Sequence, residues 1–389
     1  MADMFKILTL NKIADCGIRE LPTDRFAVSS DEKNPHGILV RSAVIAPEEL
    51  NEGLQAIGRA GAGVNNIPVE NCAEKGIVVF NTPGANANAV KELVIAGLIL
   101  ASRNVVGGIN WVQELNGQSG VAKMVEKGKS QFVGPEVAGK TLGVIGLGAI
   151  GVLVANAGRS LGMNVMGYDP YLSVDAAWGL SRGVRKSLDL DSIFAESDYI
   201  SIHIPSNADT RGMFNAEVFG KCKKGVRILN FARAELVDNA AIKKAIADEL
   251  VACYVTDFPT DDVLGVDGII PIPHLGASSP ESEDNCATMA AAQLREYLLY
   301  GNIKNSVNFP DCEIPYVGKK RICIIHRNVA KVVGPITTLF ADRSINIDNL
   351  LNKSKGEFAY TMLDVDSNNV EGIEEALLEM SNVIKVRVI

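Results

Sequence analysis

A glycine-rich segment near the centre of the chain, residues 146–151 (Gly-Leu-Gly-Ala-Ile-Gly), restricts the possible folds more than any other feature. It follows an apolar stretch at 142–145 that predicts a buried strand, and it opens a segment with helical periodicity. The first glycine permits a tight turn, the second permits close approach of a pyrophosphate, and the third permits close packing of helix and strand. The segment therefore predicts a Rossmann-type dinucleotide site, with contacts from Gly146, Gly148, Ala149, Ile150 and Gly151.

The residue that ends the next predicted strand indicates which dinucleotide binds. Asp169 lies 18 residues after Gly151. A carboxylate there can accept hydrogen bonds from ribose hydroxyls and repels a 2′-phosphate, which favours NAD over NADP. The alternative is that Asp169 only caps the turn before Pro170.

Apolar strands alternate with helical segments over most of the chain, which predicts α/β domains built on parallel sheets. We expect a helix begun at Pro47, long helices over 86–102 and 280–300, and a βαββαβ order after residue 320, which is the ferredoxin-like arrangement. Residues 301–318 have no helical period and contain two prolines, which indicates a linker. The predicted fold is a Rossmann-type doubly wound sheet inserted in a flavodoxin-like domain, followed by a ferredoxin-like module. The predicted domains are a substrate domain at 1–88 completed by 277–305, a dinucleotide domain at 89–276, a linker at 306–318 and a C-terminal module at 319–389.

Composition excludes several classes of function. The net charge is −8 and no basic block occurs, which argues against nucleic acid as a partner. The seven cysteines are widely spaced, odd in number and without a Cys-x-x-Cys pair, which predicts reduced thiols, no metal site and a cytoplasmic protein. No apolar run is long enough to span a bilayer, and we expect neither a secretory signal nor a membrane partner.

Acid–base and anion-binding side chains follow predicted strand ends, where ligands bind in open α/β sheets. His274 follows the predicted strand 269–272, and histidine titrates near neutral pH as a general base must. Arg233 follows another strand, and its planar guanidinium suits bidentate binding of a carboxylate. A turn-capping histidine and a surface arginine are the alternative interpretations. Asp257, Asp261 and Asp262 are the carboxylates that could partner His274.

Seven segments together, in this order, resemble the D-isomer-specific 2-hydroxyacid dehydrogenase family. The resemblance covers nearly the whole chain. The segments are 40–42 (VRS), 59–67 (RAGAGVNNI), 79–84 (VFNTPG), the glycine segment 146–151, 210–215 with 230–233 (TRGMFN and NFAR), and 273–278 (PHLGAS).

The resemblance implies NAD-dependent oxidation of D-3-phosphoglycerate to 3-phosphohydroxypyruvate, the first step of the phosphorylated route to L-serine. Another D-2-hydroxy acid, such as glycerate or lactate, is the alternative substrate, and a non-catalytic NAD-sensing protein is the alternative of another class. His274 would be the acid–base, Arg233 would bind the substrate carboxylate and Asp261 would be the carboxylate partner of His274. Further implied cofactor contacts are Thr82, His203, Pro205, Phe231, Ala232, Asp257 and Gly276, and the implied substrate contacts are Arg41, Ala62 and Gly63.

The chain departs from the family pattern at three places. The family has an aspartate, four intervening residues and a glutamate. With the Phe258-Pro259-Thr260 segment as anchor, Asp261 takes the glutamate's place and Thr256 the aspartate's, with Asp262 as a rival. Asn65 stands where the family often has aspartate. Lys91 replaces a small residue and, with Lys12, could add positive charge for a phosphate, unless both lysines are merely solvated.

The C-terminal module resembles an ACT domain, an amino-acid-sensing module. The resemblance implies side-by-side dimerisation, a homodimeric or homotetrameric enzyme, and L-serine as a candidate effector bound by His326, Asn328 and Asn346. The family's Pro-Gly after the first strand is replaced by Ala330-Lys331, so a side chain at Lys331 is expected to crowd that site.

Overall fold

The structure is a computed structural model that describes residues 4–389, and it divides into two compact units. The first unit contains the described residues up to Ala85 together with Glu283–Ile389, and the second unit is Asn86–Ser282. The sequence-predicted fold class is confirmed, because two parallel sheets and one antiparallel sheet form with the expected orders.

The N-terminal part of the first unit is a five-stranded parallel sheet in the order β2-β1-β3-β4-β5, which is the flavodoxin-like order. Strands β3, β4 and β5 are almost entirely buried, as in a parallel sheet that is covered on both faces. The elements are β1 (Phe5–Leu10), α1 (Asp15–Ile18), β2 (Phe26–Ser29), β3 (Gly37–Val40), β4 (Ala56–Arg59), α2 (Val69–Glu74) and β5 (Val78–Phe80).

The second unit is a seven-stranded parallel sheet in the order β12-β11-β10-β9-β6-β7-β8, with buried apolar clusters. Read from β8, the first six strands follow the Rossmann order. Its helices are α3 (Ala87–Ser102), α4 (Val105–Glu114), α5 (Val121–Gly128), α6 (Ala149–Ser160), α7 (Val174–Gly179), α8 (Leu190–Glu196), α9 (Ala216–Lys221) and α10 (Asn239–Ala247). Its strands are β6 (Thr141–Ile145), β7 (Asn164–Tyr168), β8 (Val184–Lys186), β9 (Tyr199–Ile202), β10 (Val226–Asn230), β11 (Val251–Thr256) and β12 (Ile269–Pro271).

A long helix, α11 (Pro280–Tyr300), leads to the C-terminal module, an antiparallel sheet in the order β14-β15-β13-β16. The module has the predicted βαββαβ order. Within the first unit it shares one apolar core with the five-stranded sheet, to which Ile7, Phe80, Cys323 and Tyr360 all contribute. The elements are β13 (Lys320–Arg327), α12 (Val333–Asp342), β14 (Ile347–Lys355), β15 (Phe358–Val365), α13 (Ile373–Leu378) and β16 (Val383–Val388).

Residues 306–312, the first part of the predicted linker, are packed into the first unit, whereas residues 313–318 are largely exposed. Val307 donates its N–H to the carbonyl of Val79, and the Asn308 side chain bonds both the N–H of Val79 and the carbonyl of Ile77. Phe309 and Cys312 are fully buried in the shared core. The absence of helical periodicity correctly predicted an irregular backbone, but it does not indicate whether the side chains are buried or exposed.

Two further expectations about secondary structure were wrong in detail. The helix expected at Pro47 is only a three-residue 3-10 turn, Pro47–Glu49, because the chain must turn back to start β4. The short strands β2 and β8 were not predicted, since each has only three or four residues at a sheet edge and little apolar periodicity.

Across residues 4–389, no single helix has the length and apolar character needed to cross a membrane. The α3 and α4 helices reach that threshold only when taken together, across a bend of 69°.

A fully buried ion pair inside the C-terminal module generates a stability prediction. Arg321 donates from Nε and Nη2 to both carboxylate oxygens of Asp364, at 2.6 and 3.0 Å. We expect Asp364→Ala to lower the free energy of unfolding by about 3–5 kcal/mol, because a buried guanidinium would lose its only ion-pair partner among residues 4–389. Asp348→Ala, which breaks the more exposed pair with Lys319, is the control, with an expected cost of about 1 kcal/mol or less. Urea unfolding checks both, and equal costs would contradict the prediction.

Candidate functional site

The glycine segment forms the turn that its spacing predicted. Gly146 has a φ of +88°, which a residue with a side chain rarely adopts. A Cβ at Gly151 would lie 1.9 Å from the carbonyl oxygen of Gly146, so helix α6 approaches β6 too closely for any side chain there. A Cβ at Gly148 would meet no protein atom within 4 Å, so the space above the middle of the turn is open.

Asp169 is tied to this turn through its side chain. Its Oδ2 accepts a hydrogen bond from the N–H of Leu147 at 2.8 Å, and its Oδ1 accepts one from the N–H of Tyr171 at 2.8 Å. Asp169 therefore caps the turn before Pro170. The same contacts fix the carboxylate directly after β7, next to the glycine turn, where the ribose interpretation requires it.

The residues around the turn fit a dinucleotide. Helix α6 begins after Gly148 with no side-chain cap, so the first N–H groups of the helix, including those of Ala149 and Ile150, are available to a phosphate. Asp257 is buried, and its Oδ1 atom has no hydrogen-bond partner among the described residues. A buried acceptor without a donor is costly, and a ligand N–H would satisfy it.

The loop that carries Arg233 is held by a buried side chain that sequence reasoning missed. Asn230, fully buried at the end of β10, accepts hydrogen bonds through Oδ1 from the N–H groups of Ala232 and Arg233. Its Nδ2 donates to the carbonyl of Arg233 at 2.8 Å. Arg233 itself is exposed and has no ion pair within residues 4–389, so its guanidinium can bind an anion. Asn230 could have been recognised from the sequence as a polar residue at the end of an apolar strand.

His274 lies three residues after β12 and packs against an aromatic ring. Its imidazole centroid is 4.7 Å from that of Phe258. Asp257 directly follows β11, and its carboxyl interacts electrostatically with both His274 and Arg233. Burial raises the pKa of the Asp257 carboxyl, and the charges of His274 and Arg233 together with a hydrogen bond from the N–H of Gly276 partly offset the rise. The structure thus groups Arg233, Asp257, His274 and Gly276 at one sheet edge.

His203 is a different kind of histidine. It follows β9, and its Nε2 atom is 2.8 Å from the Ser201 hydroxyl. Burial lowers the pKa of His203 to about 3, so its imidazole is neutral at physiological pH. Its carbonyl oxygen lies beside the glycine turn, 2.6 Å from where a Cβ of residue 146 would be. The site keeps this histidine as a neutral neighbour of the turn, which leaves His274 as the side chain suited to proton transfer.

The remaining second-unit candidates lie as follows. Phe231 is buried after β10 and contacts Gly97 of α3, while Pro205 accepts a hydrogen bond from the Thr210 hydroxyl through its carbonyl. Lys91, on α3, forms an ion pair with Glu92 at 3.7 Å.

Several candidates lie in the first unit. Thr82 is buried, and its hydroxyl oxygen has no partner among the described residues. Ala62 accepts a hydrogen bond from the Asn81 side chain through its carbonyl, and its own N–H and that of Gly63 have no acceptor within residues 4–389. Arg41 forms an ion pair with Glu283 at 2.5 Å, so its charge is largely compensated within the unit. Lys12, two residues beyond β1, has no ion pair in the described part of the chain.

Comparison with known proteins identifies the second unit. Residues 95–276 match the family described as D-isomer specific 2-hydroxyacid dehydrogenase, NAD binding domain. The match lies within the second unit and includes the glycine turn, Arg233 and His274. The sequence-based expectations of this family and of NAD as the cofactor are therefore confirmed.

Two curated relatives have the same name. The chain is 34% identical over 323 residues to the D-3-phosphoglycerate dehydrogenase of Methanocaldococcus jannaschii, covering 82% of this chain and 58% of that protein. It is 32% identical to the enzyme of that name from Bacillus subtilis, covering 79% of this chain and 59% of that one. The chain spans about half to three fifths of the length of the curated relatives it matches.

Solved structures agree in fold. A NAD-bound 3-phosphoglycerate dehydrogenase from Entamoeba histolytica is 28% identical, with a TM-score of 0.61, and is covered over 99% of its length by 79% of this chain. The apo D-lactate dehydrogenase of Escherichia coli has a TM-score of 0.61 at 22% identity, covering 78% of this chain and 99% of that one, which supports the fold alone.

The three aspartates of the 2-hydroxyacid dehydrogenase pattern have different environments. Asp257 is buried near His274, as described above. Asp262 accepts hydrogen bonds from Thr260 and Asn239 and forms an ion pair with Lys243, so it stabilises the start of α10. Asp261 is exposed and makes no side-chain hydrogen bond or ion pair within residues 4–389. Asp261 therefore shows no contact with His274 within residues 4–389, and its role as the partner of His274 remains a prediction.

The effector candidates of the C-terminal module already have partners inside it. His326 is buried and lies within hydrogen-bond distance of Asn352 and Thr361 through Nε2. Asn328 donates to the carbonyl of Gly356, and Asn346 donates to Asp348. Lys331 has a φ of +65°, so this chain keeps the left-handed backbone suited to the glycine of other members and places a side chain on it.

Within residues 4–389, no group of three or more His, Cys, Asp or Glu side chains is arranged to hold a metal ion.

Two glycines of the turn allow NAD binding and stability to be separated. We expect Gly148→Ala to leave the melting temperature nearly unchanged, because its φ of −74° suits any residue and the new methyl group meets no protein atom. The methyl group would occupy the space of the pyrophosphate, so the Kd for NAD should rise about tenfold or more.

Gly151→Ala should instead lower the melting temperature, since its Cβ overlaps the carbonyl of Gly146. Calorimetric titration with NAD and thermal unfolding check both variants. Unchanged NAD affinity in Gly148→Ala would show that this turn does not bind the cofactor.

Proposed function

We propose that this protein is a NAD-dependent dehydrogenase that oxidises D-3-phosphoglycerate to 3-phosphohydroxypyruvate, the first step of the phosphorylated route to L-serine. The observation that carries the proposal is the grouping of the Arg233 guanidinium, which has no ion pair within residues 4–389, with the imidazole of His274, on a unit that matches an NAD-binding domain. The choice of substrate rests on the curated relatives, which are named D-3-phosphoglycerate dehydrogenase.

Each side chain has a defined task in this reaction. Arg233 binds the carboxylate of the hydroxy acid through two parallel N–H bonds and so orients the C2 carbon. His274 accepts the proton of the C2 hydroxyl as the C–O double bond forms. NAD, when bound, supplies the nicotinamide ring that accepts the hydride from C2. In the reverse direction, protonated His274 returns the proton to the carbonyl oxygen.

The neighbouring residues complete the proposed site. Asn230 fixes the backbone of Arg233, and Phe258 supports the imidazole of His274. Asp261 is the proposed carboxylate partner of His274 on the family pattern. Cofactor contacts are proposed for Thr82, Gly146, Gly148, Ala149, Ile150, Gly151, Asp169, His203, Pro205, Phe231, Ala232, Asp257 and Gly276, and substrate contacts for Lys12, Arg41, Ala62, Gly63 and Lys91.

Variants of the two central residues test the proposed reaction. With 3-phosphoglycerate and NAD, His274→Gln should reduce kcat/KM by about 10²–10⁴-fold, because the hydroxyl proton loses its acceptor. Arg233→Gln should reduce kcat/KM by about 10²-fold or more through the lost carboxylate contact, with Arg233→Lys in between. Lys186→Gln, an exposed change on β8, serves as control. Turnover of His274→Gln at the wild-type rate would overturn the assignment, and a wild-type preference for D-glycerate would overturn the substrate.

The proposed enzyme is a cytoplasmic homo-oligomer. All seven cysteines are free thiols, which suits a reducing compartment. Helix α4 exposes a stripe of apolar side chains, Val105, Val106, Ile109 and Val112, with exposed fractions of 39, 48, 54 and 43%. An apolar stripe of this kind on a helix is typical of a subunit interface.

A single charge in this stripe tests the oligomer. Ile109→Asp should convert the wild-type dimer or tetramer to a smaller species, because each interface would bury an unpaired carboxylate. Val174→Asp on α7, which is 72% exposed outside the stripe, is the matched control and should leave the mass unchanged. Light scattering during size-exclusion chromatography gives the masses. An Ile109→Asp protein with the wild-type mass would contradict the proposed interface.

L-Serine is the proposed effector, and the C-terminal module is proposed to dimerise side by side. The support is the ACT-like βαββαβ order together with His326, Asn328 and Asn346. These side chains are already hydrogen-bonded inside the module, so serine must displace those bonds when it binds. Calorimetry with serine tests this part separately, and absence of both binding and inhibition would remove it.

A further inference from the structure

A cleft of about 580 Å³ lies within the first unit, between the five-stranded sheet and the C-terminal module. On the side of the sheet it is lined by residues that begin or directly precede four parallel strands, namely Phe5, Arg25, His36 and Gln55. Parallel strands all begin at one edge, so the cleft lies at the amino edge, opposite the carboxyl edge that Arg41 follows. Its volume is in the range of small-molecule sites.

The other wall of the cleft includes strand β16, which carries two half-buried cations. Lys385 and Arg387 are two residues apart, so their side chains lie on the same face of the strand. Arg387 donates to the carbonyls of Tyr297 and Leu298 at 3.0 and 2.8 Å, near the C-terminus of α11, where the helix dipole stabilises a positive charge. Its guanidinium also lies 4.5 Å from the centre of the Tyr297 ring. Arg387 therefore holds the module against α11.

Lys385 is less well compensated than its neighbour. Its Nζ atom donates to the carbonyl of Leu54 at 2.7 Å, and it has no ion pair within residues 4–389. Burial, together with the nearby charge of Arg387, lowers the pKa of Lys385 to about 8. Its stem is fixed on the backbone of Gly76, where an added Cβ would lie 2.9 Å from the Cβ of Lys385. An ammonium held in this way is costly unless an anion accepts its remaining hydrogen bonds.

The cleft also contains an unpaired acceptor and an apolar surface. The Oε1 atom of Gln55 is buried and has no donor among the described residues. Phe5 and two leucines of α11, Leu298 and Leu299, supply the apolar surface. A ligand with an anionic end and an apolar body would match both features.

The exposed charges of the cleft are mixed in sign. Arg25 is positive and Glu52 and Glu374 are negative, and none of the three has an ion pair within residues 4–389. Exposed charges are screened by water and salt, so their influence on a ligand is weak. The half-buried charges, both positive, therefore determine which sign of ligand the cleft favours.

We propose that this cleft binds a small carboxylate with an apolar body, whose oxygens accept hydrogen bonds from Lys385. The apolar part of the ligand packs against Phe5 and the two α11 leucines. Plain carboxylic acids and amino acids share this chemistry, and only the amino acid adds an N–H donor for Oε1 of Gln55. The site goes beyond the proposed function, because it lies at the amino edge and takes no part in the reaction.

Titration with isovalerate, a carboxylate that lacks the hydroxyl group of a substrate, tests the site by ligand-observed NMR. We expect wild-type protein to bind isovalerate, and to bind its uncharged analogue isovaleramide at least about tenfold more weakly. Lys385→Met keeps the length of the side chain and removes its charge, and should raise the Kd for isovalerate by about 10–100-fold. The melting temperature should change little, since the lost bond to Leu54 is offset by removal of a half-buried ammonium. Lys33→Met, an exposed lysine without an ion pair in the described chain, is the matched control.

A second variant keeps Lys385 in place. Gln55→Glu adds a negative charge of nearly the same shape to the cleft, and should weaken isovalerate binding by competing for the ammonium. L-Leucine distinguishes the two ligand classes. Tighter binding of leucine than of isovalerate would identify an amino acid as the ligand, and the reverse order would identify a plain carboxylic acid.

Binding at the catalytic groups is distinguished by a further variant. Arg233→Gln should leave the Kd for isovalerate unchanged, because Arg233 belongs to the second unit. Three results would overturn the inference: no binding of isovalerate or leucine to the wild type, equal affinity for isovaleramide, or a Kd that changes in Arg233→Gln but not in Lys385→Met and Gln55→Glu.

Discussion

The carboxyl ends of parallel strands are the constraint on which the chemistry of this protein depends. In a parallel sheet every strand ends at the same edge, so residues far apart in sequence meet there without any long loop. Gly146, Arg233, Asp257 and His274 follow four strands of the seven-stranded sheet in this way. Arg41 and Arg59 occupy the same edge of the five-stranded sheet.

Short loops at these edges are held by side chains that bond to backbone. Asn230 fixes the loop of Arg233, Asp169 fixes the glycine turn, and Asn11 accepts hydrogen bonds from the N–H groups of Ser42 and Ala43. Each such bond contributes only about 1 kcal/mol to stability. Its larger effect is on position, because a guanidinium or a carboxylate recognises its ligand only from a well-defined place.

Two buried or half-buried arginines, Arg321 and Arg59, differ in how well the protein compensates their charges. Arg321 has both oxygens of Asp364 and three backbone carbonyls around it, so its charge is compensated and it stabilises the C-terminal module against α11 and the segment that follows. Arg59, in contrast, has no ion pair within residues 4–389, and its Nε atom has no hydrogen-bond acceptor there.

Local sequence determined the fold class, the cofactor turn and the family. Strand and helix periods are set by neighbouring residues, and the glycine spacing encodes a backbone shape directly, so neither depends on distant contacts. Strand ends also identified Arg233 and His274 as candidates.

Only the tertiary structure decided which charges are compensated and which segments are buried. Arg41 meets Glu283 across 242 residues, Asp262 is held by Asn239 and Lys243, and the expected linker packs against β5. The partners of a charge and the burial of an irregular segment depend on residues brought together by folding, and the period of a sequence does not encode them.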